Sequence, residues 1–212
     1  YSSLINFNAQ LDTNTKSITQ ELIANLDTDF AKAKAIYNWV NSSIRYIAIE
    51  DGIGGFKPRE ATLVCDRRYG DCKDMSNLMV QMMRYAGLKA YHTWVGTREL
   101  PYTYTQTPSV LTDNHMICGL NLNNQWFFID ATNKNLPFPM PSSFTQGKEA
   151  LVGLDADNYL ILPIPVVSAN ENIAHDVVTA HLENGKLVGI GQSHLRGYHA
   201  YYANNALETN EQ

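Results

Sequence analysis

The sequence predicts an α+β fold in which a cysteine-bearing helix packs on an antiparallel β-sheet, followed by a β tail at the C-terminus. Three observations predict it. From Cys72 the apolar residues Met75, Leu78, Met79, Met82, Met83 and Ala86 recur at helical spacing, and Gly87 supplies a stop. Two apolar runs, 114–122 and 125–130, flank Asn123-Asn124, a pair suited to a two-residue hairpin turn. A second alternating pair of runs, 176–182 and 186–193, surrounds Glu183-Asn184-Gly185.

In chain order, residues 1–14 read as an irregular lead-in and 17–26 as a short helix. Residues 29–44 form a second helix, with Phe30, Ala33, Ile36, Tyr37 and Val40 as its apolar stripe. Residues 45–50 read as a short strand. Segment 51–58 holds three glycines and a proline, a loop in which the backbone turns or approaches something closely. Residues 59–68 form a short helix ahead of the Cys72 helix, and 89–97 a strand containing Tyr91, Thr93, Trp94 and Val95. Segments 98–113 and 133–147 are long, proline-containing loops, and loops of that length inside a compact domain commonly carry function. The texture changes after Pro165. Residues 1–165 therefore read as one catalytic-type core. Residues 166–212 read as a β-hairpin tail that edges this domain or begins another.

Composition narrows the function classes. A chain of 212 residues is long enough for a substantial core without disulfide help. The net charge of −5 and the lack of basic runs disfavour nucleic acid as a partner. The longest strongly apolar stretch, 159–167, contains two prolines and is far too short to span a bilayer. The chain starts at Tyr1 with no signal-peptide pattern and reads as a processed or trimmed piece. Three cysteines, an odd number, imply no disulfide framework, and Cys65, Cys72 and Cys118 lack zinc-ligand spacing.

The chemistry concentrates at Gly70-Asp71-Cys72-Lys73-Asp74. A thiol at a helix N-terminus faces unpaired N–H groups and the positive end of the dipole, which favour its nucleophilic form. Asp71 and Asp74 have the spacing of a capping box, so a structural role explains both. Lys73 reads as a solvated or loop-pairing charge, and Cys72 taken alone could equally be a buried, inert residue. The strand from Asn114 changes that balance. Alternation puts His115, Ile117 and Gly119 on one face and Met116, Cys118 and Leu120 on the other. A turn at Asn123-Asn124 then brings Asp130 level with His115, where a carboxylate could fix the imidazole; a mere turn with Thr132 is the alternative. His92 reads as a strand surface residue, and the histidines of the tail are scattered.

These pieces together resemble the transglutaminase-like superfamily, relatives of papain-type thiol enzymes, in its bacterial branch. The resemblance rests on Gly-Asp-Cys-Lys-Asp at 70–74 with its Leu/Met-rich helix and Ala86-Gly87-Leu88. Asn114-His115-Met116-Ile117, Phe128-Ile129-Asp130-Ala131-Thr132 and Gln146-Gly147-Lys148-Glu149-Ala150-Leu151 add to it. It implies a Cys-His-Asp triad: Cys72 as nucleophile, His115 as base and then acid, Asp130 as the orienting carboxylate. The implied activity is amide cleavage or exchange on a protein or peptide through a thioester, with hydrolysis favoured and no metal or organic cofactor. A periplasmic or cell-envelope address is implied as well. Lys57, Asn114 and Trp94 are the candidates for oxyanion or substrate contacts. Lys57 stands before Pro58 where similar bacterial sequences carry glutamine, which puts the side-chain half of the oxyanion site in question. A noncatalytic binding or scaffold module on the same fold is the rival reading.

Overall fold

A computed structural model describes residues 3–7, 9–49 and 51–210. The first helix, α1 (Thr13–Ile23), starts four residues ahead of the sequence expectation because Asp12 caps it, accepting from the Thr15 N–H at 2.9 Å. Helix α2 (Asp29–Ser43) is capped by Thr28 and buries Ala33, Ile36, Tyr37 and Val40. Phe30, expected in that stripe, is 43% exposed and packs edge-on against Phe127 and Phe138 at the rim. The strand expected at 45–50 shrinks to β1 (Arg45–Tyr46); Glu50 lies outside the described residues. A 3₁₀ turn at Gly52–Gly55 and helix α3 (Ala61–Arg67) lead to β2 (Tyr69–Gly70), which pairs parallel with β1.

Helix α4 (Cys72–Tyr85) follows, then β3 (Lys89–Val95), β4 (His115–Leu122) and β5 (Gln125–Ile129). Asn123 and Asn124 both adopt positive φ, 51° and 65°, as the two-residue hairpin turn requires. Two strands absent from the sequence reading, β6 (Glu149–Gly153) and β7 (Tyr159–Pro163), complete a five-stranded antiparallel sheet of order β5-β4-β3-β6-β7. Pro163 is the last residue of β7. It is tolerated because β7 is an edge strand, and it sits at the last paired position, opposite Glu149.

The sheet sorts its side chains as alternation demands. Ala90, Cys118, Leu120, Leu122 and Ile129 face the helices and share one core with Met75, Leu78, Met79, Met82 and Met83 of α4. Val95, Ile117, Phe128, Ala150, Val152 and Ile164 form a separate cluster. No helix of the described residues is long and apolar enough to cross a membrane.

The chain divides into two compact units, Tyr1–Pro165 and Val166–Gln212. The second contains the hairpin β8 (Ala174–Glu183) and β9 (Lys186–Leu195), turning at Asn184-Gly185 with both φ positive. It ends in helix α5 (Tyr198–Asn210), which the reading as a pure β-hairpin tail did not include.

Candidate active site

The first turn of α4 is locked from several directions. Asp71 accepts from the Asp74 N–H at 3.3 Å, and Asp74 Oδ2 accepts from the Asp71 N–H at 3.1 Å, so the expected capping box is present. Arg59 secures Asp74 from outside, its Nη2 and Nε donating to Oδ2 at 2.7 and 3.0 Å and its backbone N–H to Oδ1 at 2.7 Å. Residue 70 must be glycine for this box to close, since a Cβ there would lie 2.7 Å from the Asp74 Cβ. Lys73 departs from the sequence expectation. It is only 5% exposed and ion-paired with buried Asp71, because a buried N-cap carboxylate needs a counter-charge more than the surface needs a lysine.

His115 opens β4 and lies opposite Val95, the last residue of β3. The pairing of Cys118 with Ile129 sets Asp130 one step beyond, diagonal to His115 across the hairpin. His115 Nε2 donates to Asp130 Oδ2 at 2.8 Å. Cys72 lies beside the ring, where its side chain helps to raise the His115 imidazole, and both line the same cleft. The structure thus brings Cys72, His115 and Asp130 together. Asp130 also makes the turn that was its rival explanation: Oδ1 accepts from the Thr132 N–H at 3.0 Å and from its hydroxyl at 2.7 Å.

Ser142, Asn133 and Phe144 are site residues that the sequence did not mark. Ser142 Oγ donates to Asp130 Oδ2 at 2.7 Å, Asn133 Nδ2 donates to it at 3.2 Å, and Phe144 meets the His115 ring edge-on at 5.3 Å. All three come from the proline-rich segment 133–147, expected to touch substrate but here wrapped around the carboxylate. Its start is pinned to α2, where Asn41 Nδ2 donates to the carbonyls of Ala131 and Asn133 and the Tyr37 hydroxyl to that of Leu136. Nothing in Pro-Ser-Ser-Phe alone announces this role.

Burial alone would strip His115 of its proton, but the Asp130 charge and hydrogen bond outweigh it and hold the imidazolium up to about pH 10. Burial would likewise raise Asp130. The His115 charge beside it, with the Thr132 and Ser142 donors, brings it down to about 2. Burial pushes the Cys118 thiol up to about 12 and raises that of Cys65, and both are fully covered, whereas Cys72 lines a cleft. His92, expected at the surface, is 0% exposed because β3 is the central strand and its helix-facing side lies under α4. Its Nε2 lies 2.9 Å from Asn77 Oδ1.

Cys72 and His115 open onto a cleft of about 320 Å³, walled by Gly52, Gly55 and Phe56 on one side and by Trp94, Asn114 and Met116 on the other. Two of the three substrate-contact candidates therefore line it. The Asn114 side chain is tied to Thr97, accepting from its N–H at 2.9 Å and donating to its hydroxyl at 3.1 Å. Gly96 permits this closure, since a Cβ there would sit 2.2 Å from the Thr112 carbonyl. Lys57 is not brought to the cleft. It is exposed and borders a separate cavity of about 330 Å³ with Gln81 and Asn77, because its N–H closes the 3₁₀ turn onto the Ile53 carbonyl and Pro58 redirects the chain. Among the described residues, no group of three or more His, Cys, Asp or Glu gathers as a metal site.

Residues 16–131, more than half of the chain, match the family model of the transglutaminase-like superfamily. No curated protein sequence matches. Among solved structures, one described as "a putative protease" from Parabacteroides distasonis aligns with TM-score 0.55 at 11% identity, covering 80% of this chain and 33% of that one. At this identity the likeness is one of fold. A "putative cysteine protease" from Cytophaga hutchinsonii aligns at TM-score 0.45 and 15% identity, covering 85% of this chain and 50% of that one. LapG of Legionella pneumophila aligns at TM-score 0.31 and 18% identity, covering 73% and 78%. The chain thus spans a third to a half of the length of the first two.

Proposed function

Because the chain belongs to the transglutaminase-like superfamily, we propose that it is a thiol acyl-transfer enzyme that opens an amide bond in a protein or peptide. The observation that carries this reading is the grouping of the half-buried Cys72 thiol with His115 and Asp130, opening onto a cleft of about 320 Å³. In the reaction His115 is the imidazolium and already carries the proton given up by Cys72, and the thiolate sulfur bonds to the substrate carbonyl carbon. The carbonyl π-pair moves to oxygen. On its return the C–N bond breaks, His115 gives its proton to the departing amine, and a thioester remains on Cys72. Water, deprotonated by His115, then adds to the thioester and releases a carboxylic acid. An amine in place of water would yield a new amide. Hydrolysis is favoured because water always reaches an open cleft. Asp130 keeps the ring oriented and its positive charge compensated throughout.

Incubation of the full chain with a peptide library, with and without a primary amine, tests this by mass spectrometry. Cleaved peptides from wild type and none from Cys72→Ala are expected. Amine-adducted products would transfer the assignment to transglutamination. Absence of product and of any acyl adduct on Cys72 would favour the noncatalytic binding module instead.

A further inference from the structure

Acyl transfer places negative charge on the substrate carbonyl oxygen, and a donor must meet it there. The Cys72 backbone N–H, at the start of α4, can serve as one such donor. Of the side-chain donors expected from sequence, Lys57 borders a different cavity, and Asn114 is tied to Thr97 through its carbonyl oxygen and one amide N–H. Lys73 lines the cleft together with His115, directly beside Cys72 in the chain.

Three properties set Lys73 apart from a surface lysine. Its side chain is only 6% exposed, so its charge acts where water screens little. Its position is fixed by the ion pair with Asp71, which removes the mobility that makes lysine a poor positioned donor. An ammonium carries three N–H groups, and Asp71 is its one hydrogen-bond partner among the described residues, so donors remain for a ligand in the cleft.

We propose that the Lys73 ammonium, held by Asp71, is the side-chain donor that receives the substrate carbonyl oxygen as Cys72 attacks. This deepens the acyl-transfer reading and rests on it. Asp71 then has two duties, capping α4 and aiming Lys73.

Lys73→Met alone would strand the buried Asp71 carboxylate, and Asp71→Asn alone the Lys73 ammonium, so the test variant is D71N/K73M, read against wild type, since asparagine also caps helices well. Two reagents separate oxyanion support from mere folding. Iodoacetamide alkylates the Cys72 sulfur by displacing iodide at a saturated carbon, with no oxyanion. A peptide aldehyde adds the same sulfur to its carbonyl carbon, the π-pair going to oxygen and a proton following from His115, to give a hemithioacetal. Relative to wild type, the double variant should keep its melting temperature, since both charges of the buried pair are removed together, and alkylate within about threefold. Aldehyde affinity and kcat/KM should fall on the order of a hundredfold. Equal losses with both reagents, or none with the aldehyde, would overturn the role of Lys73 while leaving the thiol enzyme standing. A wild-type chain that forms neither hemithioacetal nor product would overturn the acyl-transfer reading, and this one with it.

Discussion

His115 and His92 sit on neighbouring strands of one sheet, both largely withdrawn from water, yet they end in opposite charge states. Burial lowers both. His92 has only the neutral amide of Asn77 and the distant positive charge of Arg84 to answer it, and falls to about 3. His115 has the Asp130 carboxylate at 2.8 Å and rises to about 10. What separates a reactive imidazole from a packing one here is the partner, not the depth. The consequences for stability have opposite signs. The His115 contribution is complete below the unfolded value of about 6.5 and is lost as pH rises through about 10. That of neutral His92 is present above about 6.5 and is lost as pH falls toward about 3, because the unfolded ring then takes a proton the native ring refuses.

The contrast can be broken at its strongest point by Asp130→Asn. The fold should persist, His115 should return toward an ordinary imidazole in an NMR titration, and turnover should fall by roughly tenfold to ten-thousandfold. Unchanged turnover would remove Asp130 from the chemistry. Next in size is the ranking of the thiols. In the folded chain iodoacetamide should label Cys72 well ahead of Cys65 and Cys118, as peptide mapping would read; equal labelling would contradict the site. His92→Leu sharpens the other half of the comparison. It should cost about 1–3 kcal/mol by leaving Asn77 Oδ1 without its His92 partner, flatten the loss of stability between about pH 6.5 and 3, and leave Cys72 labelling intact. Ser142→Ala removes one donor from Asp130 and should lower turnover several-fold, less than a lone charged hydrogen bond is worth because His115, Thr132 and Asn133 still hold the carboxylate, with the alkaline edge of His115 displaced. The smallest expected effect is none: ending the chain at Pro165 should leave melting and labelling of the first unit as they are, and loss of its cooperative transition would show that residues 166–212 complete it.

The sequence disclosed what is local. Helical spacing from Cys72, the capping box and the Asn123-Asn124 turn each follow from a few adjacent residues, and they suffice to put His115 and Asp130 at one level. It did not disclose which strand is central. Without β6 and β7, β3 reads as an edge and His92 as a surface residue; with them, the same ring is sealed beneath α4. Lys73 was read as a solvated or loop-pairing charge; it pairs with Asp71, and the burial of that pair is a tertiary property that local spacing does not carry. The Ser142 contact spans twelve residues of irregular chain, for which no periodicity exists to be read.

The short parallel pairing of β1 with β2 has a use beyond architecture. The Ile47 N–H donates to the Gly70 carbonyl at 2.9 Å, two residues before the nucleophile. Exchange of that single amide with deuterium can occur only when the strap at 69–70 lets go. It is therefore a built-in gauge of how firmly the thiol is held, readable without substrate, label or mutation. Ligands that seat in the cleft should slow its clock, whatever chemistry they undergo there.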